Sequence, residues 1–222
     1  MFSSVGDADK APEAVAHFKS KFDIENHLKA SGLDYSILRP VAFFENFDDP
    51  VNFNALTPGS IKGLWPASLS VLCVATADIG KAGCVMLSDP ATWKGKTLDC
   101  STEHVDGAKL SAALTQASGI ECTYSLSMPP FAIKLFLNDL HHMIKFFTDP
   151  GYSCSRIQES GAMGIDAWLE REVGQQRGAV QAFGKRSSPS TTAAWKLQES
   201  VPAWGCAGCW RFFLHVIAPF LL

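Results

Sequence analysis

The sequence contains no run of five or more basic residues, and its 19 lysines and arginines are outnumbered by 22 aspartates and glutamates, giving a formal net charge of −3 at pH 7. The electrostatic footprint of a nucleic-acid-binding surface is missing, so direct nucleic-acid binding is not expected. Nor does any apolar stretch reach the roughly 20 residues that cross a bilayer. The bulkiest, from Trp204 onward, is interrupted by Arg211 with 11 residues following it, which disfavours a membrane anchor. Seven cysteines, at 73, 84, 100, 122, 154, 206 and 209, are odd in number and scattered, unlike the framework of a small secreted domain. The opening residues also lack the pattern of a secretory leader. A reducing compartment is therefore expected: the cytoplasm, with the nucleus as the alternative. Internal repeats are absent as well.

What is present is core material. With 222 residues and 47% hydrophobic content, the chain can bury a sizeable interior as one domain, or one domain with an appendage. A helix is predicted over about 13–30, opened by Pro12 and stopped at Ser31-Gly32. "DYSILRP" follows as a strand ending at Arg39, because Pro40 has no N–H for a ladder. Residues 41–70 read as loop, rich in breakers and containing the aromatic "FFENF". Then come a strand near 70–74, a helix from Thr76–Asp78 to Leu87, the strand "GKTLDC", a helix over 105–118 up to Gly119, and the strand "ECTYSLS". Residues 129–147 read as one amphipathic helix with Ile133, Phe136, Leu137, Leu140, Ile144 and Phe147 on its packed face. Alternating strands and helices predict an α/β fold. After Val173 a Ser/Thr/Pro-rich stretch leads into an aperiodic apolar end. Residues 176–222 are therefore expected to be a poorly ordered tail foreign to the domain at 1–175.

Within the first helix, "AHFKSK" places His17 and Lys21 four positions apart, and the same face continues to Ile24 and Leu28. A stripe carrying Ile24 and Leu28 looks into a core, where an uncompensated lysine is costly. Two arrangements resolve this. Either Phe18 and Phe22 lead and the basic pair snorkels at the edge, or the pair lines a site for something anionic. Elsewhere the chemistry is sparse. Arg39 is expected to pair with a nearby carboxylate such as Glu45. His141-His142 do not share a helical face, and no spaced ligand completes a metal set. Cys206 and Cys209 lack a second C-x-x-C.

Four stretches taken together resemble one family: S-S-x-G at 3–6, H-F-x-S-K-x-x-I-E at 17–25, S-G-L-x-Y-S-I-L-R-P at 31–40 and F-F-E-N at 43–46. The combination is similar to the NmrA-like proteins, atypical relatives of the short-chain dehydrogenases. "ATADIGKAG" and the segment at 143–172 extend the likeness over about residues 1–173. The resemblance implies the C-terminal part of a Rossmann-type NAD(P)-binding domain with a small substrate-side α/β lobe. The family's G-x-x-G-x-x-G phosphate loop does not occur in this sequence. The expectation is a chain lacking four upstream βα units, on the order of 120 residues, with weak cofactor binding as a consequence. Typical short-chain dehydrogenases carry Tyr-x-x-x-Lys, in which the lysine holds the nicotinamide ribose and the tyrosine exchanges a proton with substrate. By the resemblance Lys21 is that lysine, and His17 stands where the tyrosine would be. Ser3 and Ser4 are candidates for contacting a substrate carbonyl or the nicotinamide amide. Phe43, Phe44, Glu45 and Asn46 are candidates for cofactor contact together with Lys21. The function so implied is an NAD(P)-binding, redox-sensing or regulatory protein with a protein partner. The alternatives are an NAD(P)H-dependent reductase of a small carbonyl substrate and a nonfunctional fragment.

Overall fold

A computed structural model describes residues 1–48, 59–63, 65–154 and 162–184, with side chains described as far as residue 174. In chain order the elements are β1 (Phe2–Ser3), α1 (Ala16–Ala30), β2 (Ile37–Pro40), β3 (Ala42–Phe43), a single 3₁₀ turn (Phe44–Phe47) and β4 (Ser60–Gly63). Then follow β5 (Val71–Val74), α2 (Thr76–Ser88), α3 (Pro90–Trp93), β6 (Thr97–Cys100), β7 (Glu103–Val105), α4 (Gly107–Ser118) and β8 (Thr123–Leu126). The last three are α5 (Pro130–Phe136), α6 (Asn138–Thr148) and α7 (Ile165–Gly184).

Strands β1, β2 and β6 form a parallel sheet in that order, with Phe2 opposite Ile37 and Pro40 opposite Cys100. Pro40 is thus part of the ladder, against the expectation that the strand stops at Arg39. Its carbonyl accepts from Gly6 N at 2.8 Å, and Val41 N reaches back to Cys100, so the missing N–H is not needed. In a second sheet β5 lies between β3, which is parallel to it, and antiparallel β7. All four β5 residues are buried, as a strand covered on both faces requires. β4 and β8 pair in parallel as a third, two-stranded unit. Two of these strands, β3 and β4, arise where the sequence reads as loop, because their apolar pattern is only two to four residues long.

The main core joins Phe18 of α1, Phe44 and Phe47 of the 3₁₀ turn, Trp65, Phe146 and Phe147 of α6, and Trp168 of α7. A smaller cluster of Leu38, Val41, Leu72, Val74, Met86 and Cys100 lies between the sheets and α2. α4 opens with the Asp106 carboxylate accepting from Lys109 N at 2.8 Å and closes at Gly119, whose φ of +72° suits glycine. α7 packs along α4 through Ile165, Trp168, Leu169 and Val173.

Two helix expectations are corrected. In α1 the buried positions are Phe18 and Glu25, while Ile24 is 46% exposed, so Phe18 leads and the Ile24 stripe turns outward. Glu25 is drawn inward by Arg39 on β2, an attraction that apolar periodicity does not register. The helix foreseen over 129–147 is broken at Leu137 (φ −131°, ψ 56°) into α5 and α6. As a result Phe136, counted on the packed face, is 67% exposed. The expected boundary at 175/176 falls inside α7, and residues 185–222, including Cys206 and Cys209, lie outside the described residues. Among the described residues no helix is long and apolar enough to cross a membrane.

Candidate functional site

A cavity of about 200 Å³ opens at the carboxyl ends of β1 and β2, the edge at which open parallel sheets bind ligands. Its wall is formed by Ser3, Ser4 and Val5 running out of β1, His17 and Lys21 on α1, and Pro40, Val41 and Phe43 beyond β2. Five of the residues singled out in the sequence, Ser3, Ser4, His17, Lys21 and Phe43, are therefore brought together. Lys21 extends along the sheet edge, its ammonium 3.5 Å from the Ser3 carbonyl oxygen and 5.5 Å from the centroid of the Phe2 ring. No carboxylate among the described residues forms an ion pair with it. The Ser4 hydroxyl is buried in the same wall and closes no hydrogen bond. It lies beside the Glu25 carboxylate, near enough to favour the charged form but outside bonding geometry. An ammonium without a carboxylate partner and a buried serine share the lining of this small cavity, a combination that suits a polar or anionic ligand.

His17 is held from the far side. Its Nδ1 pairs with the Asp139 carboxylate in the first turn of α6, and the other Asp139 oxygen accepts from Ala16 N at 2.7 Å. Both partners are about one-fifth exposed. One carboxylate thus fixes the imidazole and the first turn of α1 together, a role reached across 122 positions of sequence. Asp139 was missed in the sequence because nothing local marks an aspartate at a helix start as anything but a helix-dipole partner.

Behind the cavity, Arg39 spans two carboxylates. Its Nε and Nη2 donate to Glu25 at 2.8 and 2.6 Å, and Nη1 donates to Asp9 at 2.6 Å. Glu25, not Glu45, is the principal partner. Burial by itself would raise the Glu25 carboxyl, but the Arg39 hydrogen bonds, with Ser4 and Lys29 alongside, hold it below its usual value. Glu25 in turn pushes the Arg39 guanidinium well above its ordinary range.

Phe44, Glu45 and Asn46 do not line the cavity. Phe44 is fully buried with its ring 6.0 Å from Trp168. Glu45 accepts from Thr76 N at 3.0 and 3.1 Å, placing its charge at the N-terminus of α2, and from Trp168 Nε1 at 3.2 Å. Asn46 is exposed. Another clamp closes over the loop after β1. Asp7, in left-handed backbone at φ +51°, accepts from Ser153 N at 2.5 Å and from the Cys154 thiol at 3.3 Å, and pairs with Lys10 at 2.8 Å. Burial opposes the Asp7 charge, but these donors hold its carboxyl below the usual range. His141 and His142 stand on α6 with their rings 5.6 Å apart, and no group of three ligating side chains occurs among the described residues.

The model of the NmrA-like family matches residues 1–175. No curated protein matches the chain. Among solved structures, the chain is similar to NmrA, a negative transcriptional regulator crystallised with NAD, at 18% identity and a TM-score of 0.59 over 80% of this chain and 64% of that one. Leucoanthocyanidin reductase from Vitis vinifera, bound to NADPH, gives 12% identity and a TM-score of 0.59 over 78% and 66% of the two chains. A nucleoside-diphosphate-sugar epimerase from Staphylococcus aureus gives 18% and 0.52 over 76% and 63%. At such identities the likeness is one of fold: an α/β architecture with parallel sheets of the Rossmann-type NAD(P)-binding class. The chain spans just under two thirds of the length of these proteins.

Proposed function

The chain belongs to the NmrA-like family, and from that premise we propose that it binds the nicotinamide-ribose end of NAD(P) and reports the cofactor's redox state to a protein partner, with little turnover of its own. The observation that carries this reading is Lys21: its ammonium stands at the cavity with no carboxylate partner among the described residues. The residues present suit the ribose and amide of a nicotinamide nucleotide. Lys21 would hold the ribose hydroxyls, Ser3 and Ser4 would bond the amide or an oxygen beside it, and Phe43 would pack on the ring. Phe44 and Glu45 act behind it, fixing the turn that presents Phe43, and Asn46 flanks that turn.

The volume supports only this half of the ligand. A cavity of about 200 Å³ is smaller than the ~300 Å³ at which pockets for whole cofactors begin. The sequence supplies no G-x-x-G-x-x-G to cradle a pyrophosphate. Weak affinity of the 222-residue chain for the intact dinucleotide follows.

One observation favours the second reading, a reductase of a small carbonyl compound. Asp139 holds His17 by Nδ1, which leaves Nε2 as the nitrogen free to carry a proton. When bound, a reduced nicotinamide supplies hydride to a carbonyl carbon. The part of this chain would be to give the Nε2 proton to the oxygen on which negative charge develops, with Asp139 stabilising the ring while it is charged. The two readings separate in one experiment that follows NADPH absorbance over a panel of small aldehydes and ketones while measuring binding in parallel. Nucleotide binding without oxidation above background supports the sensor. Oxidation that is lost in His17→Ala overturns it in favour of the reductase.

A further inference from the structure

On the side of the molecule formed by α5 and α6, three large hydrophobic side chains stand in solvent: Phe131, Leu135 and Phe136, at 73%, 71% and 67% exposure. They are the most exposed large hydrophobics among the described residues. Beside them lies a cavity of about 170 Å³, floored by Leu126, Ile133 and Ile144 and bordered by His141 and Lys145. The break at Leu137 creates both features, because it turns α5 against α6 rather than continuing one packed helix.

The rim is cationic. His141 lies close enough to Lys145, His142 and Lys134 to feel all three, and burial with these neighbours lowers its tendency to take up a proton. Lys134 and Lys145 form no ion pair among the described residues, whereas Lys10, Lys19, Lys29, Lys81, Lys94 and Lys109 each have a carboxylate. In a protein of net charge −3, this is a local concentration of uncompensated positive charge around apolar surface. Exposed apolar surface rimmed by charge is the composition that interaction sites share.

Charge decides between occupants. Residues 185–222 of the chain carry Lys185, Arg186, Lys196 and Arg211 against the single carboxylate Glu199, so their charge does not complement the rim. A second copy meeting the first through the same face would set like charges against each other, since a two-fold contact pairs a patch with itself. An apolar segment bearing carboxylates satisfies both features. We propose that the α5–α6 face docks an acidic amphipathic segment of a partner protein, with its apolar residues on Phe131, Leu135 and Phe136 and its carboxylates against Lys134 and Lys145. The surface is argued from its own chemistry, and it rests on the regulatory reading only in requiring a partner.

The probe is a fluorescein-labelled helical peptide with Leu and Phe on one face and Glu on the other, titrated against a control in which every Glu is Lys. The acidic peptide is expected to bind at least about tenfold more tightly than the control and to weaken as salt rises. Lys134→Glu with Lys145→Glu should lower its affinity about tenfold, and Leu135→Ser with Phe136→Ser should abolish measurable binding. All four positions are on the surface, and the thermal transition of each variant confirms that it folds. Equal binding of both peptides, absence of binding, or indifference to the substitutions overturns the proposal. So does capture by phosphatidylserine vesicles that the peptide does not displace, or self-association that disappears with Leu135→Ser and Phe136→Ser. Nicotinamide mononucleotide binding at the β1 cavity is scored on the same samples. A peptide failure with nucleotide binding intact defeats the docking surface alone, and the reverse result defeats the cofactor reading alone.

Discussion

His17 and Lys21 are legible in sequence as an out-of-place basic pair, because helical spacing puts both on one face. Their partners are not. Asp139 meets His17 from 122 positions away, and Glu25 is buried by an arginine on the neighbouring strand. Pairing across the fold leaves no local periodicity to read. Two predictions belong at this scale. Long-range proton–nitrogen spectra of the wild type should show His17 protonated on Nδ1, the nitrogen that faces Asp139. Asp139→Ala should return it to the mixture typical of free histidine, with the other histidines unchanged. Retention of the Nδ1 tautomer in the variant would show that Asp139 does not position the ring. Glu25 makes the second case. Its carboxyl is held below its usual value when folded, so its contribution to stability is complete above the ordinary glutamate range. That contribution is lost as pH falls through the depressed value. Glu25→Gln leaves Arg39 with Asp9 as its remaining carboxylate and should cost about 1 to 3 kcal/mol at neutral pH by urea unfolding. It should also remove part of the acid limb of the melting profile. An unchanged midpoint would mean that Asp9 alone satisfies Arg39.

Among elements, helices with strong caps and strands with continuous apolar runs are foreseen closely. α4 ends at Gly119 and β5 fills Val71–Val74, as composition demands. The short strands β3 and β4 escape because two to four residues carry too little pattern, and the α5–α6 break escapes because apolar residues on both sides keep a helical period across Leu137. The turn at 44–47 shows how a motif read for ligand contact also organises architecture. Glu45 caps α2 and accepts from the Trp168 indole, tying α2 and α7 to the turn behind Phe43. Glu45→Ala leaves a helix end and a buried indole N–H unpaired, which should cost about 1 to 3 kcal/mol. Faster hydrogen exchange at the Trp168 indole is the specific readout, and exchange equal to wild type would refute the link. Gly6 is under a similar constraint: a Cβ there would meet Cys154 Sγ at 2.7 Å and Val41 Cγ1 at 2.9 Å. Gly6→Ala should therefore displace the 152–154 segment and destabilise by about 1 to 3 kcal/mol, measured by thermal unfolding.

For the molecule as a whole, the described core runs from Ala8 to Val173 and the family match ends at 175. Removal of residues 185–222 is accordingly expected to leave a cooperative transition and to raise soluble yield. Loss of cooperativity would make those residues part of the fold. The central claim is that the cavity at the ends of β1 and β2 is built to hold the nicotinamide-ribose half of a dinucleotide through Lys21. Its most direct test is titration of nicotinamide mononucleotide into the wild-type chain and Lys21→Ala, followed by amide chemical shifts and by thermal melting without ligand. The account predicts shifts centred on Ser3, Ser4, His17, Lys21 and Phe43, and an affinity about ten- to hundredfold weaker in the variant, with the ligand-free transition unmoved. Shifts elsewhere in the molecule, undiminished affinity in Lys21→Ala, or a collapsed transition without ligand would contradict it.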